Sequence, residues 1–231
     1  MTPTTTLPPF PTYTRAERLA DAIVHCIGVP AGVIAAVWLL VVAAANGEAP
    51  VIASLAVYAA GLIGMLTASA LYNMTPPGRA KAIFQRIDHA MIFVMIAGSY
   101  TPFVVNALDA GFGITLAAVV WIGAVTGVVL KVAFPRVNDR LCLALYLGLG
   151  WTIVVALEPL AGAVSATTLW LLVIGGLLYT GGTLLHVWDR LPFNNAGWHV
   201  AVLGGAACHF AAVLLEFGYG HRPLAAAVGV G

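Results

Sequence analysis

Charge is what this sequence has least of. Of its 231 residues, 10 are Lys or Arg and 9 are Asp or Glu, so charged residues make up 8% of the chain beside 61% apolar residues. A soluble domain keeps about a quarter of its residues charged. At a mean hydropathy of +0.98, this chain has too little polar surface to live in water, which excludes a soluble enzyme or binding module. Cysteine is also scarce: Cys26, Cys142 and Cys208 are odd in number, lie inside apolar runs and lack CxxC spacing, which argues against a disulfide framework. They read as small packing residues. The two lysines, Lys81 and Lys131, lie at the ends of apolar runs, which excludes a retinal-type Schiff base, since that needs a buried lysine. No basic tract is long enough to suggest a nucleic-acid partner. Residues 1–14, rich in Thr and Pro, have no basic residue, unlike the start of a signal peptide, and no cleavage is expected.

What is present is seven apolar runs: Ala22–Ala45, Val51–Leu71, Ala90–Leu108, Phe112–Leu130, Leu141–Leu157, Ala166–Leu185 and Gly197–Leu215. Each approaches the roughly 20 residues needed to cross a bilayer. The fold class expected is all-α, a polytopic membrane protein with seven transmembrane helices. Nine of the ten basic residues then fall in alternate connections, from Arg15 and Arg18 through Arg79, Lys81 and Arg86, then Lys131, Arg136 and Arg140, to Arg190; Arg222 alone lies opposite. The positive-inside rule therefore puts the N-terminus in the cytoplasm and the C-terminus outside. Residues 1–18 form a cytoplasmic tail, 19–218 the membrane domain and 219–231 a short extracytoplasmic tail. The linker Tyr72–His89, with Pro76-Pro77-Gly78 and then basic residues, reads as a turn followed by a short interfacial helix. Glycine pairs such as Gly175-Gly176 and Gly204-Gly205 allow close helix approach.

Ionisable groups in spanning helices are costly and mark function by default. Here they share one depth, the cytoplasmic half: Asp21 and His25 in the first helix, Ser69 and Asn73 ending the second, Asp88 and His89 beginning the third, Asn195 and His199 beginning the seventh. Asp21/His25, Ser69/Asn73 and Asn195/His199 are spaced by four, so each pair lies on one helix face. If those faces point inward, Asp88, His25 and His199 converge on a water-filled cavity, and a His/carboxylate group of that kind suits a transition metal, commonly zinc. An Asp21–His25 hydrogen bond without metal is equally consistent with the spacing. Asp88 also fits a helix N-cap, and adjacency predicts that only one of Asp88 and His89 faces the cavity. His209, about 15 Å beyond His199, reads as a packing residue; His186 and Tyr72 read as helix-end aromatics.

The segments Glu17-Arg18-Leu19-Ala20-Asp21-Ala22-Ile23-Val24-His25, Ser69-Ala70-Leu71-Tyr72-Asn73, Arg86-Ile87-Asp88-His89, Ala97-Gly98-Ser99-Tyr100-Thr101-Pro102 and Trp198-His199, followed by Cys208-His209-Phe210, resemble the hemolysin III family, a bacterial family related to the progestin and adipoQ receptors. The resemblance implies a seven-helix fold, residence in the bacterial inner (plasma) membrane, and zinc near the cytoplasmic face held by three His, with a Ser and an Asp close by. Some relatives in that superfamily hydrolyse ceramide-like amides. Carried over by position, the Ser is Ser69, the Asp is Asp88 and the last His is His199, whereas the other two His positions hold Asn73 and Asn195. An Asn amide oxygen is a poor zinc ligand beside an imidazole.

Two readings stay open: a site rebuilt around His199 with His25, His89 or Asp88, or a metal-free, hydrogen-bonded polar core. The first expects a hydrolase of lipid amides or esters in which His199, His25 and Asp88 hold zinc, Asp88 takes a proton, Ser69 helps stabilise the oxyanion, and Asn73, Asn195 and Asp21 bind. The second expects a non-catalytic lipid sensor or membrane-homeostasis factor. A transporter is disfavoured because the outer halves of the helices carry almost no ionisable residues, and the cytolytic activity in the family's name finds no wide aqueous pore among such apolar helices. The expected partners are membrane lipids.

Overall fold

The computed structural model describes residues 10–134 and 138–219; the expectations for residues 1–9, for Arg136 and for the tail from 220 with Arg222 lie outside the described residues. Seven helical stretches are long and apolar enough to span a membrane: Arg15–Asn46, Ala49–Met74, Arg79–Asn106, Ala110–Ala133, Asp139–Ala163, Ala166–Val187 and Asn194–Gly218. They coincide with the seven apolar runs, and no strand occurs among the described residues. The first four are single helices, α1 to α4. The fifth is built from α5 (Asp139–Gly150), a 3-10 stretch (Trp151–Ala156) and α6 (Leu157–Ala163), which carries it further than the run ending at Leu157. The sixth is α7 (Ala166–Val187); the seventh is α8 (Asn194–Val213), finished by a π turn at Leu214–Gly218.

No separate interfacial helix follows Pro76-Pro77-Gly78. The basic stretch instead forms the first turns of α3, since Lys81 Nζ turns back to donate to the carbonyl oxygens of Tyr72 at 2.7 Å and Thr75 at 3.1 Å. That contact satisfies a cation and two carbonyls at the end of α2 at once.

Helix α1 packs against both α2 and α8, α2 against α3, α3 against α4, and α7 against α8; α5 touches α3, α4 and α7. The buried positions of α1, namely Asp21, His25, Gly28, Gly32, Ala36, Leu39 and Ala43, recur every three or four residues and so form a single inward stripe. Outside it, Ile34, Ile114, Val155 and Leu184 are mostly exposed, as suits helices whose outer solvent is lipid. Towards the end away from the basic connections, Leu39, Leu55, Phe103 and Phe217 join in a closed core, with a second core around Phe93, Tyr100 and Val120. The end carrying the basic connections is hollow.

The first turn of α1 is fixed by a capping box. Thr14 N donates to Glu17 Oε2 at 2.8 Å, and Glu17 N donates to Thr14 Oγ1 at 3.3 Å. The other oxygen, Glu17 Oε1, accepts from the backbone N–H of Phe193 at 3.0 Å. Phe193 immediately precedes α8 and has a left-handed backbone, φ 59°, a conformation that a bulky residue keeps only when its surroundings hold it there. Glu17 thus ties the start of the first span to the start of the last.

Candidate metal centre

A cavity of about 940 Å³ opens at the basic end of the bundle, and Asp21, His25, Ser69, Asn73, Asp88, Asn195 and His199 all line it. At its centre, His199 Nδ1 lies 2.5 Å from Asp21 Oδ1. The carboxylate can only accept, so Nδ1 carries the proton and Nε2 is left to accept from Ser69 Oγ–H at 3.3 Å. His25, one turn beyond Asp21 on α1, brings Nε2 to 3.5 Å from Asp21 Oδ2, and its ring centroid lies 4.5 Å from that of His199. The approach of His25 to the carboxylate is poorly aligned for a hydrogen bond. Its buried Nε2 has no partner among the described residues.

Asp21, His25 and His199 can present one ligand atom each within 4.8 Å of one another, and all three are buried. One carboxylate and two imidazoles make a donor set suited to zinc, with room for a further ligand. The orphaned His25 nitrogen and the proton shared by Asp21 and His199 mark where a divalent ion would be accepted, the proton being what binding displaces. The residues present therefore fit the metal, though with a different set from the three His the resemblance implies.

The two Asn residues at those His positions are bonded to each other. Asn195 Nδ2 donates to Asn73 Oδ1 at 3.2 Å, and Asn73 Nδ2 donates to the Ser69 carbonyl at 2.9 Å. Asp88 is buried beside Ser69 and stands outside the three-residue group, so on geometry it is Asp21, from the sequence's binding set, that sits with His25 and His199.

Both members of the Asp88/His89 pair line the cavity, against the expectation that only one would. They face different walls: Asp88 turns to Ser69, whereas His89 turns to Tyr72, with ring centroids 6.3 Å apart, and to Asp139 at 3.9 Å. Asp139 is itself held by Lys131 at 2.6 Å. Tyr72 and His186, read from sequence as helix-end aromatics, also line the cavity. His209 packs away from it, its Nε2 donating to the Leu172 carbonyl at 3.2 Å. Sequence reasoning missed Tyr146 and Tyr179 in the wall; the visible signal for Tyr179 was Gly205, the second member of the pair Gly204-Gly205, which admits its ring.

Comparison with known proteins agrees with this architecture. The family described as Haemolysin-III related matches residues 13–210. The "Hemolysin-3 homolog" of Bacillus subtilis (strain 168) is 38% identical over 202 residues, covering 87% of this chain and 95% of that protein. "Hemolysin-3" of Bacillus cereus is 35% identical over 198 residues, covering 86% of this chain and 90% of the relative. No solved structure matches the chain. With helices, cavity and matched span in agreement, the chain belongs to the haemolysin-III-related family of multi-pass membrane proteins.

Proposed function

We propose that the protein is a metal-dependent hydrolase of lipid amides or esters, working from the cytoplasmic side of the bacterial plasma membrane. The observation that carries this reading is the buried Asp21/His25/His199 group in the wall of a cavity wide enough for a lipid headgroup. Zinc bound there would supply a water of lowered pKa and a Lewis acid for a carbonyl oxygen. The chain's own residues do the rest. Asp21 Oδ1 and His199 Nδ1 would take the ion in place of the proton between them, and His199 Nε2–H would then donate to Ser69 Oγ, fixing the imidazole plane and freeing the serine O–H. Asp88, beside Ser69 and free of the three-residue group, accepts a proton at its carboxylate, while Ser69 Oγ–H donates towards a substrate oxygen. Asn73 and Asn195 offer amide groups to the headgroup, and the closed core beyond the cavity argues against a through-going cytolytic pore.

One observation favours a second reading, a metal-free lipid sensor: the Asn73–Asn195 hydrogen bond occupies two positions where the family resemblance implies metal ligands. Metal content separates the two. Detergent-purified protein grown and handled with zinc supplied should carry about one ion per chain, and His199→Ala should lose it, with hydrolysis of a ceramide or acyl-ester panel lost in parallel. Wild-type protein without metal would overturn the hydrolase reading and leave the sensor.

A further inference from the structure

The cavity has a second polar feature, deeper than the metal centre and unused by it. Tyr179, on α7, lines its inner end, and Tyr58, on α2, is wholly buried in the core against which Tyr179 packs. Neither hydroxyl has a hydrogen-bond partner among the described residues, although both oxygens are buried. Buried tyrosine hydroxyls ordinarily find one, and inside a bilayer no bulk water stands in.

The ring of Tyr179 is seated by glycine. A Cβ on Gly205 would come within 2.9 Å of its Cδ2 and Cε2 and 3.0 Å of its Cζ, so the phenol is laid directly on the α8 backbone. His209 lies beside the ring, centroids 5.4 Å apart, but gives its Nε2 to the Leu172 carbonyl and not to the phenol. Gly205 is six residues beyond His199, which puts the phenol roughly 9 Å deeper than the metal centre. Between the two depths the wall is apolar, made by Val29, Met65, Leu66, Val202 and Leu203. A lipid tail running inward from the centre would cross apolar surface and then meet one hydroxyl. One leaflet of hydrocarbon is roughly 15 Å deep, so the meeting point falls about midway along a tail.

We propose that Tyr179 is a recognition point for an oxygen carried midway along the acyl chain, so that the cavity prefers mid-chain hydroxy or oxo lipids to plain ones. A plain methylene chain covers the phenol and leaves its O–H without a partner. A mid-chain hydroxyl or carbonyl supplies that partner, and an unpaired buried polar group is what discriminates between such ligands. The inference rests on the cavity taking a lipid chain, as in the proposed function, and is independent of turnover and of metal.

The test is equilibrium binding to the full-length, detergent-purified protein, by displacement of a fluorescent fatty acid. The probes are octadecanoic acid, its mid-chain hydroxy derivative and its alpha-hydroxy isomer. The mid-chain derivative should bind about three- to tenfold more tightly than the plain acid, and the alpha isomer should gain nothing. Tyr179→Phe, which keeps the ring on Gly205, should abolish the preference while leaving plain-acid affinity undiminished. Equal affinity of the plain and mid-chain acids, or a preference that survives Tyr179→Phe, overturns the recognition point while leaving the lipid cavity standing. If none of the three acids binds, the lipid cavity itself is overturned, and the inference with it.

Discussion

His199 Nδ1 and Asp21 Oδ1 meet at 2.5 Å across 178 residues of chain, joining the first spanning helix to the last. The bond is charge-assisted and buried, so it orders the bundle as well as the centre. Asp21→Asn keeps the shape and removes the charge. In chelator-treated protein, where no ion contributes, the change should cost about 1.5–3 kcal/mol of stability, read by denaturant unfolding in detergent. An unchanged midpoint would mean that the contact carries no net energy.

Ser69 and Asp88 are neighbours with separable duties. Ser69→Ala removes the partner of His199 Nε2 and should weaken zinc roughly 10- to 100-fold, as loss of a ligand's outer hydrogen bond does. Asp88→Asn should leave zinc affinity unaltered and lower turnover about 10²- to 10⁴-fold, the range for a lost proton acceptor. Chelator competition measures the first and lipid-amide hydrolysis the second. Zinc lost from Asp88→Asn would instead make Asp88 a ligand.

The spans were legible because membrane helices announce themselves by length: each of the seven apolar runs found its helix. The inward face of α1 was legible too, since Asp21 and His25 are spaced by four. Two things were not. That Asp21 rather than Asp88 stands beside His199 depends on α1 packing against α8, a contact between the two ends of the chain that no local pattern encodes. That the third helix begins at Arg79 depends on Lys81 folding back onto the Tyr72 and Thr75 carbonyls, which rewards a polar start where hydropathy alone reads a linker.

The Asn73–Asn195 hydrogen bond makes these positions a matched pair. Changing one alone strands the other: Asn73→His removes the acceptor of Asn195 Nδ2, and Asn195→His removes the donor to Asn73 Oδ1. The double variant, Asn73→His with Asn195→His, restores the imidazoles that the family resemblance implies. It should bind zinc more tightly than the wild type, with each single variant less stable than the double. Isothermal titration with zinc and thermal unfolding, run on all four proteins, check both halves; a double variant that binds no better would mean that the two positions do not converge on the centre.

Tyr100 tests how the fifth span is held. Its hydroxyl donates to the Gly150 carbonyl at 2.6 Å and approaches the Leu149 carbonyl at 3.2 Å, where α5 gives way to the 3-10 stretch Trp151–Ala156. At such a break the α-helical bonds give way to the poorer geometry of a 3-10 ladder, with Trp151 N–H shared between the Leu147 and Leu149 carbonyls, and within hydrocarbon a further donor supports carbonyls held that way. Tyr146 makes a second tie, donating to the His89 carbonyl at 2.9 Å from the cavity side of α5. Tyr100→Phe should therefore cost about 0.6–1.7 kcal/mol, the range for one interhelical hydrogen bond in a membrane protein. The loss should be local, raising amide hydrogen exchange from Leu149 to Ala156 while α1 and α8 stay protected and the metal centre keeps its affinity. Exchange rising equally in α8 would mean that Tyr100 supports the whole bundle and not the fifth span alone.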